Sequence, residues 1–358
     1  MRSGPPIAHS RPTLDAQDAR AVAQAVGSGW PAQGAGVEAF ERRMASFTGV
    51  RGGVAVNSGT TALEVALLAL GVKRGDEVIL PSYVCVAPWL AVHRVGATPR
   101  VVDIEPDSYA IDPVRAKKAL TKRTRAIIVP HLFGLPADLT RLQALHVPLI
   151  EDCAQTLGAT ERGRRVGSVG AAAVCSFYAT KLLCTGEGGM LLSRKAVVLE
   201  RGRVLREYDE EPLLVPCSFN RKMTDLQAAL GLSQLRRLRR FLQRRKVIAG
   251  MYRKALAGAD VGLPAVPKGR THCFYRYVIR LQDGRHSTLE KVMARLDRRG
   301  VHCRRPVFRP LHRYLNLDLR GFPESEEAHR TALSLPIYPS MTDRMVRRVI
   351  TVLREELA

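Results

Sequence analysis

The chain is expected to fold as an α/β protein: a mostly parallel central sheet sandwiched by helices, followed by a small C-terminal α+β domain. Two observations predict this. Between residues 53 and 193, short apolar runs of β type alternate with amphipathic stretches of helix length. That is the pattern of parallel strands joined by helical crossovers. After residue 224 it changes to one long helical stretch and then to mixed strands and helices, which sets a second unit apart from the first. The division falls into a large domain, 1–245, and a small one, 246–358.

The strand candidates are 53–56, 77–80, 100–104, 126–129, 148–150, 172–177 and 190–193. Each is short, apolar and bounded by Gly, Pro, Asp or Ser. Residues 60–70 and 138–145 repeat apolar positions at helical spacing, and 224–257 does so at greater length. "GADVGLPAVPKGR", 258–270, reads as a loop because Gly and Pro punctuate it. A strand at 275–281 and a helix at 342–356 follow.

The 358 residues are 46% hydrophobic and 25% charged, as in a soluble globular protein. The longest apolar-looking stretch, 54–72, contains Asn57, Ser58, Thr60, Thr61 and Glu64, too polar for a bilayer. "MRSGPPIAHSRPTLD" lacks the apolar core of a secretory signal. Seven scattered cysteines without zinc-ligand spacing fit reduced thiols and a cytoplasmic location, with no metal site. The formal charge of +23 favours anionic partners. "RRLRRFLQRRK", 236–246, concentrates seven basic residues behind a stripe of Leu235, Leu238 and Leu242. It reads as a solvated helix face rather than a nucleic-acid site, because no binding motif accompanies it.

Ligands of parallel α/β sheets gather at the carboxyl ends of the strands. The residues there are 57–61, 81–83, His131, 151–155 and 176–181. In "NSGTTALEVALLAL" a turn opens directly into a helix, whose free N–H groups and dipole form an anion site. Gly59 permits close approach, and the hydroxyls of Ser58, Thr60 and Thr61 can add bonds; the same residues also read as an ordinary helix cap. In "PLIEDCAQTLGA" a carboxylate, Asp152, ends an apolar run, where it can cap, form an ion pair or meet a cationic ring nitrogen. Gln155 could then bond a ring hydroxyl. In "SFYATKLLCTGEGGM" a single lysine, Lys181, stands among apolar side chains, hydroxyls and a thiol. It is either a loop lysine or a desolvated, nucleophilic amine, and Ser176 before it can bond a phosphate.

Taken in order, these motifs resemble the DegT-type sugar aminotransferases. The resemblance runs through "NSGTTAL" (57–63), "GDEVILPSY" (75–83), "VVDIEPDSYAIDP" (101–113), "PHLFGLPADL" (130–139), "IEDCAQTLGA" (150–159), "SFYATKLLCTGEGGM" (176–190), "NRKMTDLQAALGLSQL" (220–235) and "LSLPIYPSMTD" (333–343). It implies a pyridoxal 5'-phosphate (PLP) enzyme of the fold type I, aspartate-aminotransferase-like class, with the cofactor held by the large domain. Lys181 would carry the cofactor, Asp152 would meet its pyridine nitrogen and Gln155 would lie near its ring hydroxyl. Gly59, Thr60 and Ser176 would contact its phosphate, with Ser58 in the same turn. Asn220 would reach the phosphate of a neighbouring subunit's cofactor, which implies a homodimer with shared active sites.

Two positions depart from the family. Cys85 stands where an aromatic ring often stacks on the cofactor; either Tyr83 or Trp89 supplies a ring instead, or the cofactor lacks that stack. Lys222 replaces an arginine, keeping the charge and losing the bidentate fork. The implied reaction moves an amino group from an amino acid, with glutamate as the expected donor, to a keto sugar on a nucleoside diphosphate. The amino sugar would serve polysaccharide or secondary-metabolite biosynthesis. Transamination of a keto-cyclitol and a non-catalytic PLP-bound regulator are the alternatives; a sugar dehydratase would carry histidine in place of Lys181. Arginines in "HCRRPVFRPLHRY", 302–314, are candidates for steering a diphosphate, although Arg304 and Arg305 also read as a solvated face.

Overall fold

The computed structural model describes residues 5–209, 217–282 and 288–357. Its strands are β1 (Gly52–Val56), β2 (Glu77–Pro81), β3 (Thr98–Val102), β4 (Thr124–Pro130), β5 (Leu149–Asp152), β6 (Thr160–Glu161), β7 (Arg164–Arg165), β8 (Ala172–Ser176), β9 (Gly189–Ser193), β10 (Val261–Gly262), β11 (Tyr277–Leu281) and β12 (Ala332–Leu335). The helices are α1 (Ala16–Gly27), α2 (Ala35–Thr48), α3 (Gly59–Ala69), α4 (Ala87–Arg94), α5 (Pro113–Lys118), α6 (Leu139–Gln143), α7 (Ala196–Arg206), α8 (Asp225–Ala255), α9 (Leu289–Arg298), α10 (Leu311–Tyr314), α11 (Pro323–Thr331) and α12 (Asp343–Leu357).

Seven strands form one sheet in the order β1-β9-β8-β5-β4-β2-β3. The pairs β8–β5, β5–β4, β4–β2 and β2–β3 are parallel, whereas β9 runs antiparallel to both β1 and β8. All seven sequence-expected runs lie in this sheet. The third sits two residues earlier than its pattern suggests, Ile104 making an isolated bridge to Ile111 instead. Side chains alternate between two covered faces, as the strand period requires. Val54, Val56, Ala172, Val174 and Leu191 face one core with Val65 of α3 and Val198 of α7. Ala55, Ala173, Cys175, Met190 and Leu192 face another with Phe40 and Met44 of α2 and Ala228 and Leu238 of α8. The hairpin β6–β7 escaped the sequence reading; Arg162 and Gly163 turn it with positive φ at both positions, which matches strand twist.

A three-stranded antiparallel sheet, β10-β11-β12, organises the C-terminal unit. Its first strand lies inside the expected loop. Helix α8, opened by a capping box of Thr224 and Gln227, spans both units. Leu238 packs in the large core, while Ile248, Ala249 and Tyr252 join Tyr277, Leu333 and Val349 in the second. The division at 245/246 therefore falls inside one continuous helix. Ile7 also packs in the second core and bridges Val301, so the chain's first described segment straps onto the C-terminal unit.

The arginine-rich stretch is less uniform than a solvated face. Arg236, Arg239 and Arg240 are exposed, but Arg237 pairs with Asp15 and Asp18 at the start of α1. Arg245 is buried and donates to the carbonyls of Phe274, Tyr275 and Ile337; burial lowers its pKa to about 10. Likewise Arg304 is exposed while Arg305 pairs with Glu290. All seven cysteines are free thiols. Among the described residues no helix is long and apolar enough to cross a membrane.

Candidate active site

The carboxyl ends of β1, β5 and β8 bring the candidate residues together. After β1, Ser58 adopts an extended conformation and its Oγ accepts the Thr61 N–H at 3.1 Å. Thr61 Oγ1 in turn donates to Asn57 at 2.7 Å. Ser58 is thus the cap of α3, and the Ala62 N–H bonds its carbonyl. The N–H groups of Gly59 and Thr60 remain at the open, positive end of the helix. A Cβ on Gly59 would lie 2.7 Å from Ser176 Cβ, so only glycine lets the start of α3 rest against the end of β8. The start of α3 and the Ser176 hydroxyl therefore lie side by side.

Asp152 ends β5, half-buried, its Oδ1 accepting the Ala154 N–H at 3.0 Å. Protein surrounds it on all but the open side. That burial raises its carboxyl above the ordinary value, while the Ala154 N–H, Lys181 and His131 pull the other way. Gln155 is fixed by the Phe133 N–H, which donates to its Oε1 at 2.9 Å, leaving the amide NH2 as a donor. Lys181 follows β8 in a turn, its N–H on the Tyr178 carbonyl at 2.9 Å, and its Nζ stands 5.5 Å from the centre of the Tyr275 ring. Cys85 is exposed on the same pit. Burial by the pit walls raises its thiol, with Lys181 lowering and Asp152 raising it.

Behind Asp152 lies a closed network. Glu151 is buried and accepts the N–H groups of Gly167, Val169 and Gly170 at 2.7, 2.8 and 2.6 Å and His131 Nε2 at 3.1 Å. The Ala137 N–H donates to His131 Nδ1 at 3.0 Å, which fixes the proton on Nε2. Burial pushes Glu151 up, but His131 and the N–H groups outweigh it and hold the carboxyl below its usual range. His131, Glu151 and Cys153 bring ligand-type atoms close together. The lone pairs of the histidine and the carboxylate are already engaged, so the cluster is a brace for β5.

Tyr83 is a correction. Its ring is fully buried, stacked on Tyr109 at 5.9 Å, and its hydroxyl donates to the Ala328 carbonyl at 3.1 Å. It ties the two units together and is no ring for the cofactor. Trp89 stacks on His93 at 5.0 Å. Cys85 itself holds the position where a stacking ring was sought. Asn220 is exposed beside the end of β1, where the Asn57 N–H bonds the Arg221 carbonyl at 2.9 Å; its Oδ1 accepts the Lys222 N–H at 3.4 Å. Lys222 pairs with Glu207 at 2.6 Å. The sequence reading missed Tyr275, whose ring reaches Lys181 from the C-terminal unit. Position 275 begins the expected strand, and no motif marks it. A cleft of about 630 Å³ elsewhere in that unit is lined by Arg305, Arg313 and Arg330. Their charges are paired with Glu290, Glu326 and Glu327, and none of the site residues lies there.

Lys181, Asp152 and Cys85 thus lie within electrostatic reach of one another, and Gly59 rests against Ser176, at the strand ends of a type I α/β transferase fold. The sequence model of the DegT/DnrJ/EryC1/StrS aminotransferase family matches residues 12–354, and the chain belongs to that family. It is 35% identical to the GDP-perosamine synthase of Caulobacter vibrioides, with 100% of both chains covered. It is 34% identical to the dTDP-3-amino-3,4,6-trideoxy-alpha-D-glucose transaminase of Streptomyces venezuelae, covering 96% of this chain and 92% of that one. Among solved structures it is similar to S. venezuelae DesV, with 33% identity, TM-score 0.90 and 98% of each chain covered. A sugar aminotransferase of Streptococcus pneumoniae in its PMP form superposes with TM-score 0.92 at 27% identity, with 98% of each chain covered.

Proposed function

We propose that this enzyme moves an amino group from an amino acid, with glutamate as donor, to a keto sugar carried on a nucleoside diphosphate. The observation that carries the reading is the nearness of Lys181 to Asp152 at the strand ends, with Gln155 fixed by the Phe133 N–H and Gly59 resting on Ser176, in a chain that the family model matches over residues 12–354. Relatives named for a GDP-linked and a dTDP-linked amino sugar support the nucleotide-sugar class. The cofactor is PLP, and the residues present fit it. When bound, it supplies an aldehyde that takes up the amino group and a ring that spreads negative charge.

The chain's own residues do the rest. Gly59 and Thr60 N–H and the Ser176 hydroxyl would hold the phosphate. Asp152, whose carboxyl burial raises, would face the ring nitrogen and share its proton. Gln155 would donate its NH2 to the ring hydroxyl. Lys181 Nζ would hold the aldehyde carbon and, when free, move the proton of the donor carbon as base and then acid. The Tyr275 ring stands 5.5 Å from this Nζ. We further infer a cytoplasmic homodimer in which Asn220 completes the partner's phosphate site, since it is exposed beside the α3 turn. The product serves polysaccharide or secondary-metabolite biosynthesis.

The test is the visible spectrum of purified protein with PLP, before and after glutamate, beside Lys181→Ala. The parent should show a band that glutamate bleaches, and the variant should lack it. A parent band unmoved by glutamate or any other common amino donor would overturn the aminotransferase reading.

A further inference from the structure

One groove of the large domain gathers positive charge with no carboxylate to offset it. It lies between the end of α2, the β6–β7 hairpin and the middle of α8 and encloses about 500 Å³. Arg43, Arg165, Arg236 and Arg239 line it together with Phe47, Leu232 and Leu235. The phenyl ring and the two leucines are half-buried and pack on the core beneath, so they form the floor; the four arginines are exposed and form the rim. None of these residues belongs to the cofactor pit.

Among the described residues, no carboxylate pairs with any of the four. The acids on the flanking elements are taken: Glu38 pairs with Arg42, and Glu161 with Arg162 and Arg164. Arg165 is held in place, since it donates to the Phe47 carbonyl and its guanidinium lies 5.2 Å from the centre of the Phe47 ring. From 226 to 255, α8 carries nine lysines and arginines and neither Asp nor Glu. A helix face that is merely solvated interleaves the two signs. Here Arg236 stands three residues before Arg239 and four before Arg240, and like charges at those spacings destabilise a helix. An anion seated between the guanidiniums removes that repulsion.

We propose that this groove is a second binding site, separate from the cofactor pit, for a soluble nucleoside diphosphate. Arg236 and Arg239 on one turn of α8, with Arg43 from α2, offer planar forks that match phosphate oxygens. The Phe47 ring, the guanidinium over it and the two leucines give the base an apolar bed with a π face. The volume falls within the roughly 300–1,000 Å³ of small-molecule sites. A bilayer would need large apolar side chains on the rim, and the exposed ones such as Trp30, Phe219 and Phe308 stand elsewhere. A nucleic-acid strand would need a succession of stacking rings, and the groove has one. The proposal is independent of the aminotransferase reading, because no groove residue has a part in that chemistry.

The experiment titrates three PLP-loaded proteins by calorimetry: the parent, the double variant Arg236→Gln/Arg239→Gln, and Arg43→Gln. The probes are GDP, dTDP and inorganic pyrophosphate. All three positions are exposed and glutamine is a good helix former, so thermal melting without nucleotide should match the parent. Nucleotide binding in the groove should weaken about tenfold or more in the double variant and in the same direction in Arg43→Gln, as expected for lost charged hydrogen bonds. Added salt should weaken it in the parent. Pyrophosphate should bind less tightly than either nucleotide, because it leaves the apolar floor uncovered. The proposal is overturned if both variants bind nucleotide within about twofold of the parent, or if pyrophosphate binds as tightly as GDP, which would leave no seat for a base. Tighter binding of a single-stranded RNA oligomer or of anionic phospholipid vesicles, lost in the same variants, would also overturn it and assign the face to that partner. A parent that ignores every amino donor yet binds nucleotide in the groove removes the aminotransferase reading and leaves this site standing.

Discussion

Replacing Glu151 by Gln tests whether the buried brace behind Asp152 holds the site in place. The carboxylate meets four donors: Val169 and Gly170 at Oε1, Gly167 and His131 at Oε2. Glutamine can offer only one oxygen. If it keeps Val169 and Gly170, its NH2 faces the Gly167 N–H and the His131 Nε2–H. His131 cannot switch tautomer to accept, because its Nδ1 already takes the Ala137 N–H. At least two buried donors lose their acceptor, each costing about 1–3 kcal/mol, so the variant should lose about 3–5 kcal/mol of stability. Urea unfolding of the PLP-free protein at neutral pH, followed by circular dichroism, measures this as a lowered midpoint with an unchanged slope. The folded carboxyl titrates below its unfolded value, so its contribution is full above about pH 4.5 and fades as pH falls through the lower folded value. The gap between parent and variant should accordingly close in acid. A loss below about 1 kcal/mol, or a gap that widens in acid, would refute the reasoning.

Three further substitutions probe the cofactor pit. Gly59→Ala places a methyl 2.7 Å from Ser176 Cβ and must push α3 off the end of β8; PLP affinity, read by spectral titration, should fall by about tenfold or more, as for an overpacked contact. Asp152→Asn cannot hold the ring-nitrogen proton, and the glutamate-driven spectral change should slow by about 10²–10⁴ with PLP still bound. Cys85→Tyr supplies a ring where the family often has one; PLP should bind several-fold tighter, on the order of 0.5–1.5 kcal/mol for an added aromatic contact, read in the same titration.

The sheet was legible because buried strands announce themselves as short apolar runs between turn residues, and all seven runs entered it. The reversed direction of β9 was not read. Residues 177–188, which join β8 to β9, hold Lys181 and no helix, and an antiparallel return needs none. The large-domain candidates could be picked from the sequence because each follows a strand end and has its own chemistry: a Gly-Thr turn before a helix, a carboxylate with an amide, a lysine. Tyr83 was misread because an aromatic at a strand end has the same sequence signature whether it faces a ligand or a core. The fates of Arg237 and Arg245 depend on partners far along the chain, Asp15 and Asp18 for one and residues 274, 275 and 337 for the other. Tyr275 went unseen for the same reason: only the docking of the two units brings its ring to Lys181.

The central claim is that this site carries nitrogen from an amino acid to a nucleotide-linked keto sugar through Lys181. The most direct measurement supplies 15N-glutamate and PLP together with GDP-linked or dTDP-linked keto-deoxy sugars, and reads the products by mass spectrometry. The account predicts a 15N-labelled amino sugar on one of those nucleotides, an equal amount of 2-oxoglutarate, and neither product from Lys181→Ala. Bleaching of the cofactor band by glutamate, with no label entering any of the sugars, would contradict it.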